Sequence, residues 1–401
     1  MRLFTGTPSW IIDDGATAES AVEPPGDIDT NVAIIGAGIT GALIAFHLAS
    51  RSVEALLIDK RPPAMGSTCA STALLSYELD VPLTQLIEQR GERDAYRAYE
   101  LGRRSIGTLE AVAEAVGESV DFQRRDCFYL AQTAGDAQDL YREYLTRRAG
   151  GFDIDLLTES DVAAVFPFAR PLATRTPEAA EVDPVRLTRA ALAYAERRGI
   201  AVLNDRVTEV DADGEAVRIR TAGGSLVRAR RLVLAAGYET TRLIEIDNVR
   251  LTSTYVLATE PVARLSGWPH RALICESGGH PYFYMRTTFD NRILLGGEDE
   301  ETSDPATMAR LLPGKIAAMA AMLRAMFPMN EIEVATAWAG VFSASSDGLP
   351  TIGPHPRWPR MHLALGYGGN GITFAAIAAE MVADWVLGRP NSDAAIFRLN
   401  R

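Results

Sequence analysis

The sequence predicts a mixed α/β protein that combines a Rossmann-like βαβ unit with a region of short β-strands. Residues 31–60 have the pattern of a strand, a glycine-rich turn, a helix and a second strand. Residues 249–300 have the pattern of a run of successive β-strands. The 401 residues are enough for two or three domains, and 47% of them are hydrophobic, so a large core is expected.

The first element is a glycine-rich turn between a buried strand and a helix. Gly36 allows the tight turn, Gly38 lets the backbone approach a pyrophosphate, and Gly41 lets the helix pack close to the strand. The helix N-terminus adds N–H groups and a positive dipole end. The next strand ends at Asp59, 18 residues after Gly41, which suits a carboxylate that binds a ribose hydroxyl. The pattern predicts dinucleotide binding; an ordinary βα turn with an incidental acid is the alternative.

The other elements follow from periodicity and capping signals. Residues 1–30 are mixed and polar and are expected to form a surface extension that Trp10, Ile11 and Ile12 pin to the body. Pro184 suits the first turn of a helix over 184–198, with Asp183 as its N-cap. In chain order, the remaining predictions are helices near 92–116 and 135–149 around a strand at 126–130, short strands between 201 and 227, a buried strand at 231–237, strands at 251–258, 282–286 and 292–295, a helix at 306–327, and a final strand and apolar helix within 363–387.

Composition excludes several classes of function. The net charge of −12 argues against a nucleic-acid or anionic-membrane surface. The sequence has no run of 18 or more apolar residues, so no membrane span is predicted. The N-terminus lacks the basic and then apolar pattern of a signal peptide. Cys69, Cys127 and Cys275 are odd in number and widely spaced, which indicates a reducing cytoplasm and no metal site.

Two later segments have the character of parts of the same cofactor site. Residues 232–237 form a strand that ends in small residues, which lets it pass close to a bulky ligand. Residues 366–373 are a glycine-rich turn before a helix, whose N–H groups would stabilise an anionic, electron-rich ring. A reduced flavin is such a ring. The alternative for this third motif is a glycine-rich surface loop.

These motifs together resemble the D-amino-acid oxidase/glycine oxidase (DAO) family of FAD-dependent oxidoreductases. The resemblance covers roughly residues 31–398, with the motifs in the family's order. Beyond the first turn and Asp59, the matching segments are 66–72 (Gly-Ser-Thr-Cys-Ala-Ser-Thr), 234–238 (Leu-Ala-Ala-Gly-Tyr), 338–340 (Trp-Ala-Gly), 347–353 (Asp-Gly-Leu-Pro-Thr-Ile-Gly) and 366–372 (Gly-Tyr-Gly-Gly-Asn-Gly-Ile).

The resemblance implies a Rossmann-like FAD domain of the glutathione-reductase type, with an inserted substrate domain of helices and a mostly antiparallel sheet. It divides the chain into the extension 1–30, an FAD domain of 31–85, 155–248 and 335–401, and a substrate domain of 86–154 and 249–334. Besides the residues of the first turn and Asp59, it implies as FAD-binding residues Ile39, Thr40, Lys60, Ser67, Thr68, Ser71, Thr72, Ala73, Leu74, Val207, Ala236, Gly237, Gly340, Gly366, Gly368, Gly369, Asn370, Gly371, Ile372 and Thr373. FAD is expected to be non-covalent, because no cysteine stands at the position after Trp-Ala-Gly that links flavin in some relatives.

The substrate side departs from the family pattern. Glycine oxidases carry Trp-Ala-Gly-x-Arg-Pro, whose guanidinium receives a carboxylate, but here Phe342 stands in the arginine position. On the strand 282–286, Tyr282, Tyr284 and Arg286 share one face by alternation. The resemblance implies that Tyr282 lies near the substrate side of the flavin, so these three are the candidate catalytic residues on that side. Arg286 could bind an acidic substrate group or form an ion pair with Glu298 or Asp299.

The expected function is therefore oxidation of a C–N bond in an amine or amino-acid-like compound, with hydride transfer to flavin and formation of an imine. The expected electron acceptor is O₂ or a quinone or electron-transfer protein. Two alternatives stay open, a flavoprotein with a structural or assembly role and a flavin monooxygenase, although the Asp-Gly-Leu-Pro segment at 347–350 disfavours the second.

Overall fold

A computed structural model describes residues 3–12, 26–244, 250–278, 282–328 and 332–401. The described part contains eight α-helices: α1 (Ile39–Ala49), α2 (Leu83–Arg90), α3 (Glu92–Val116), α4 (Ala134–Ala149), α5 (Glu159–Val165), α6 (Pro184–Glu196), α7 (Pro305–Met326) and α8 (Gly371–Val386). The helices predicted near 92–116, 135–149, 184–198 and 306–327 are all present. Half of the predicted extension, residues 1–2 and 13–25, lies outside the described residues.

The strands fall into two sheets. In chain order they are β1 (Phe4–Gly6), β2 (Ile28–Ile35), β3 (Ala55–Asp59), β4 (Leu74–Leu75), β5 (Gln123–Ala131), β6 (Asp155–Thr158), β7 (Leu172–Glu181), β8 (Ala201–Asn204), β9 (Val207–Asp211), β10 (Val217–Thr221), β11 (Leu226–Leu234), β12 (Arg250–Thr259), β13 (Leu273–Ser277), β14 (Phe283–Thr287), β15 (Ile293–Glu300), β16 (Val334–Ala344), β17 (Thr351–Pro354) and β18 (Met361–Leu365).

The first sheet is a Rossmann-like sheet with a parallel core. Its strand order is β17-β18-β11-β2-β3-β8, and β10 and β9 extend from β11. The strands β18, β11, β2, β3 and β8 run parallel, so their carboxyl ends meet along one edge. In β2, Val32 and Ile34 face the helices α1, α3, α6 and α8, while Ala33 and Ile35 face the opposite core, so both faces are buried.

The second sheet is mostly antiparallel. Its order is β1-β16-β12-β15-β14-β13-β5-β7-β4, with β6 beside β7, and among its described strand pairs only β13–β5 is parallel. Helix α7 packs on it through Met308, Met319 and Leu323. The Asp304 carboxylate caps this helix by accepting a hydrogen bond from the Thr307 N–H at 2.8 Å, and Pro313 lies inside the helix.

Sheet membership differs from the division expected from the sequence. Residues 155–181 and 334–344, which the resemblance places almost entirely in the FAD domain, supply β6, β7 and β16 to the second sheet. Strand β7 has weak strand signals because it contains Pro177 and several Ala and Glu residues. The register between β7 and β5 shifts at Pro177, between the pairs Arg125–Ala179 and Cys127–Thr176. Pro177 therefore lies where the regular hydrogen-bond pattern of the strand pair is interrupted and no N–H donor is needed. The division into domains stays a proposal.

Candidate FAD and substrate site

A cavity of about 1730 Å³ lies between the two sheets. Its walls include the segments that follow β2, β3, β11 and β18, where the parallel strands end together. Ligands of open α/β sheets bind at this edge. On the other side, β12, β14 and β16 of the second sheet contribute Thr254, Tyr284 and Phe342. Each sheet therefore supplies one wall.

The first glycine turn has the geometry that the sequence predicts. Gly36 has φ +117° and lies against the Ala235 carbonyl, so a side chain there would overlap with backbone. A Cβ on Gly41 would overlap with the Gly36 carbonyl oxygen, so Gly41 serves close packing and does not line the cavity. Asp59 accepts hydrogen bonds from the Ala37 N–H at 2.7 Å and the Arg61 N–H at 3.0 Å. Asp59 thus holds the turn while it faces the cavity.

An ion cluster joins the segments after β3 and β11. The Lys60 ammonium lies 2.8 Å from Glu239, and the Arg61 guanidinium lies 2.6 Å from the other carboxylate oxygen. Burial alone would raise the pKa of Glu239, but the hydrogen bonds from Arg61 and Lys60 outweigh it and lower the pKa to about 2. The cluster lines the cavity beside Asp59 and Val207, where the resemblance places the adenosine end of FAD.

The hydroxyl-rich segment 66–75 runs along the cavity and is held from behind by three side chains. The Trp338 Nε1–H donates to the Ala70 carbonyl at 2.9 Å, and the Trp10 Nε1–H donates to the Ser71 carbonyl at 2.7 Å. Arg286 donates to the next two carbonyls, Thr72 at 3.2 Å and Ala73 at 2.7 Å. We call Trp10, Trp338 and Arg286 the carbonyl clamp. It fixes four consecutive peptide groups.

The hydroxyls of this segment also bond within the protein. The Thr68 Oγ1 accepts the Ile39 N–H at 3.0 Å and so caps the start of α1, and the Ser71 Oγ accepts the Ala73 N–H at 3.1 Å. A hydroxyl that accepts one bond keeps its own hydrogen for another acceptor. Thr68 and Ser71 can therefore still donate to a phosphate or ring oxygen.

The C-terminal glycine turn lies at the other end of the cavity. Gly366 and Gly368 have positive φ values of +79° and +55°, which favour glycine. Gly371 begins α8, and a Cβ placed on it would have no atom within 4 Å, so it faces open cavity. The Asn370 side chain donates to the Glu78 carbonyl at 2.8 Å, which anchors the turn.

Thr373 lies one step outside the site. Its hydroxyl donates to the Asn370 carbonyl at 2.9 Å, and the side chain is buried within the protein and not along the cavity. The remaining predicted cofactor residues, other than Gly41, all line the cavity.

Arg286 does not reach the cavity, although it shares a strand face with Tyr282 and Tyr284. Its guanidinium is buried beneath Thr72 and Ala73 and also donates to the Val182 carbonyl at 2.9 Å. Its carboxylate neighbour is Glu181 at 3.5 Å and not Glu298 or Asp299. Arg286 is therefore placed as a structural cation that holds the cofactor segment.

Tyr282 and Tyr284 do line the cavity, on the side opposite the first glycine turn. Their rings lie 5.8 Å apart, and the Tyr284 hydroxyl bonds to the Thr254 Oγ1 at 3.0 Å. Burial raises the pKa of both phenols, so they stay neutral. Phe342 extends this aromatic wall.

Sequence reasoning missed a group of ionisable residues on the same side. Arg147 pairs with Glu78 at 3.1 Å and with Glu143 at 2.8 Å, and Glu143 accepts the first N–H groups of α2 from Leu83 and Thr84. The sequence contains only a weak signal for this group, which is the spacing of four residues between Glu143 and Arg147 on one helix. The network fixes the backbone around Glu78 that receives Asn370.

The Cys69 thiol is inert in this environment. It is buried, its Sγ donates to the Gly66 carbonyl at 3.2 Å, and burial raises its pKa to about 12. The three cysteines are free. Among the described residues, no helix is long and apolar enough to cross a membrane, and no cluster of His, Cys, Asp and Glu could hold a metal ion.

Comparisons with known proteins agree on one family. The profile of the DAO family, described as FAD dependent oxidoreductase, matches residues 31–385. The chain is 28% identical over 391 residues to a glycine oxidase of Geobacillus kaustophilus, covering 92% of this chain and 97% of that protein. It is 25% identical to a glycine oxidase of Bacillus licheniformis, covering 89% and 93%.

Solved structures show the same fold. The crystal structure of glycine oxidase from Geobacillus kaustophilus superposes with a TM-score of 0.80 at 23% identity, covering 93% of this chain and 99% of that one. L-proline dehydrogenase from P. horikoshii gives a TM-score of 0.76 at 19% identity, covering 94% and 98%. A Rossmann-like FAD-binding unit with a second, substrate-side sheet is thus the architecture of this chain.

Proposed function

The chain belongs to the DAO family of FAD-dependent oxidoreductases, and we propose that its substrate is a secondary amine or a bulky amino compound rather than a small amino acid. The reaction is oxidation of a C–N bond to an imine. FAD, when bound, supplies the hydride acceptor. The protein's part is to place the substrate C–H bond, exclude water and stabilise developing negative charge.

The residues present fit FAD. The cavity is larger than the usual 300–1,000 Å³ or so of a small-ligand pocket, which suits a dinucleotide together with a substrate. Gly36 and Gly38 would hold the pyrophosphate at the start of α1, and Asp59 a ribose. Gly371 and the N–H groups at the start of α8 would receive the electron-rich edge of the ring.

The observation that carries the substrate proposal is the aromatic wall without a guanidinium. Phe342 occupies the position where glycine oxidases have arginine, and Arg286 is committed to backbone carbonyls. Arg147, the other buried arginine along this side, is paired with two carboxylates. A carboxylate in this region would be buried without its usual donor, which is costly.

A substrate screen tests this proposal. Anaerobic addition of secondary amines or bulky amino compounds should bleach the flavin absorbance, whereas glycine and other small amino acids should react poorly. The control is dithionite, which reduces the flavin irrespective of the substrate pocket. Brisk, saturable oxidation of free glycine would contradict the proposal, since it would require a carboxylate site.

The cofactor makes a separate prediction. Acid or heat should release intact FAD from the yellow protein, because Cys69 is buried and protonated and the position after Trp338 to Gly340 carries no cysteine. The supernatant spectrum after precipitation measures the release. Flavin that stays with the precipitated chain would show a covalent bond.

We also propose O₂ or a quinone or electron-transfer protein as acceptor, and the cytoplasm as compartment. The buried free cysteines support a reducing compartment. Anaerobic photoreduction followed by air or a quinone dye identifies the acceptor. A flavin inert to both would favour the alternative of a structural flavoprotein.

A further inference from the structure

Asp80 places a carboxylate in the cavity beside the C-terminal glycine turn. Its Oδ2 accepts the Gly369 N–H at 2.7 Å. Side chains on Gly368 or Gly369 would overlap with the Asp80 carboxylate oxygens, so both glycines make room for it. The carboxylate lines the same cavity as Tyr282, Tyr284 and Phe342. Asp80 is exposed to the open cavity but lies deep within the protein, so a ligand that fills the cavity would desolvate it.

The charges around Asp80 are negative. Its deep position raises the pKa of Asp80, the Gly369 N–H lowers it, and the carboxylate of Asp299 raises it further. Burial raises the pKa of Tyr238, Tyr282 and Tyr284, and the negative charge of Asp80 raises it further. Among the described residues no lysine, arginine or histidine pairs with Asp80. Within this part of the chain, the Asp80 carboxylate therefore has one backbone donor and no counter-ion.

A carboxylate enclosed with aromatic rings is a site for an organic cation. An ammonium group gains from both the carboxylate and the ring faces. A substrate carboxylate in the same place would be repelled by Asp80 and Asp299 in a medium of low dielectric constant. The substrate side of the cavity, which lacks the arginine of glycine oxidases, thus carries the negative charge of Asp80.

We propose that Asp80 is the counter-ion of the ammonium group with which the substrate binds, and that the substrate is a cationic amine with no carboxylate on its reacting carbon. The bound ammonium loses its proton to water before the C–H bond is broken, since only the neutral amine can become an imine by loss of hydride. This inference rests on the proposed amine oxidation and narrows its substrate class. Asp80 acts as a binding residue, held in place by the Gly369 N–H and framed by the tyrosines.

Binding of an ammonium ion that cannot be oxidised tests the proposal without turnover. Benzyltrimethylammonium is titrated into the FAD-bound protein and followed by the flavin absorbance. The probe has no N–H, so the Asp80 carboxylate attracts it by charge alone, and Asp80→Asn should weaken its binding by about 10- to 100-fold in this cavity of low dielectric constant. Asp80→Glu should retain part of the affinity. Glu88→Gln, a carboxylate along the same cavity on α2, is the matched control and should change binding less than about twofold.

The pH dependence supplies a second readout. The probe has no titratable proton, so a change in its affinity reports the protein. Because the pKa of Asp80 is raised, affinity should fall as the pH is lowered, beginning above the pH range usual for an aspartate. Asp80→Asn should abolish this dependence. A dependence that persists in Asp80→Asn would assign it to Asp299 and overturn the proposal.

Two further outcomes separate the ways in which the proposal can fail. If Asp80→Asn lowers FAD content while affinity per bound flavin is unchanged, Asp80 only anchors the turn and the proposal is wrong. Phenylacetate, the carboxylate counterpart of the probe, should bind far more weakly, and tight binding would also overturn it. Ammonium binding without oxidation of any amine would instead contradict the proposed function and leave the role of Asp80 standing.

Discussion

Purified Gly371→Val protein is expected to contain little FAD although its fold is intact. Gly371 begins α8 where a Cβ meets no protein atom within 4 Å, so the valine methyl groups enter the part of the cavity proposed for the cofactor. Its φ is not in the left-handed region, so the backbone is not strained. Overpacking costs about 1–3 kcal/mol, which weakens FAD binding by about 5- to 150-fold.

The ratio of flavin to protein absorbance measures the loss, and circular dichroism measures the fold. Gly314→Val is a matched control, because Gly314 also lies in a helix with open space around its Cβ, but on the outer face of α7. It should keep its FAD. Full flavin content and an unchanged flavin spectrum in Gly371→Val would show that the start of α8 does not contact the cofactor.

Arg286→Met should destabilise the folded protein strongly. It leaves the carbonyls of Thr72, Ala73 and Val182 without their donor and removes a positive charge 3.5 Å from the buried Glu181. Breaking a buried pair from one side costs about 3–5 kcal/mol. Glu181 keeps its ion pair with Arg125 at 2.8 Å, so the loss should lie at the lower end of that range. The free energy of unfolding should fall by this order, and FAD affinity should fall with it because the carbonyl clamp is broken.

Urea unfolding of the FAD-free and FAD-bound protein measures both effects. The control is Arg292→Met, at the start of the neighbouring strand, where the ion pair with Asp290 at 2.8 Å is half exposed. That substitution should cost less than about 1 kcal/mol. Normal stability of Arg286→Met, together with weaker binding of substrate, would favour the substrate-binding role that the sequence suggests.

The geometry of the proposed cofactor side could be predicted from the sequence because local patterns determine it. Gly36, Gly41 and Asp59 act through neighbours within one βαβ unit, and each has the geometry expected from its spacing. Thr68 is predicted as a ligand and also caps α1, a contact across 29 positions that spacing alone does not reveal.

The substrate side was harder to predict because its contacts are long-range. Alternation places Arg286 on the same strand face as Tyr284 but does not reveal how deeply the Arg286 side chain is buried. The residues that cover it, Thr72 and Ala73, lie more than 210 positions earlier in the chain. Asp80 lies in an irregular segment without periodicity, and its partner Gly369 is 289 positions away. Local sequence patterns therefore predict neither the carbonyl clamp nor the position of the Asp80 carboxylate in the cavity.

The cavity draws its walls from Leu3 to Ile372, and strand β1 completes the second sheet by pairing Phe4 with Gly340 on β16. During synthesis the N-terminal residues are made first, so they wait for a partner strand more than 300 residues later. Pairing across such a separation is slow and leaves sheet edges open meanwhile. The start of α8 comes later still. FAD is therefore expected to bind late in biogenesis, and a chain that has bound FAD is one in which both sheets are fully formed.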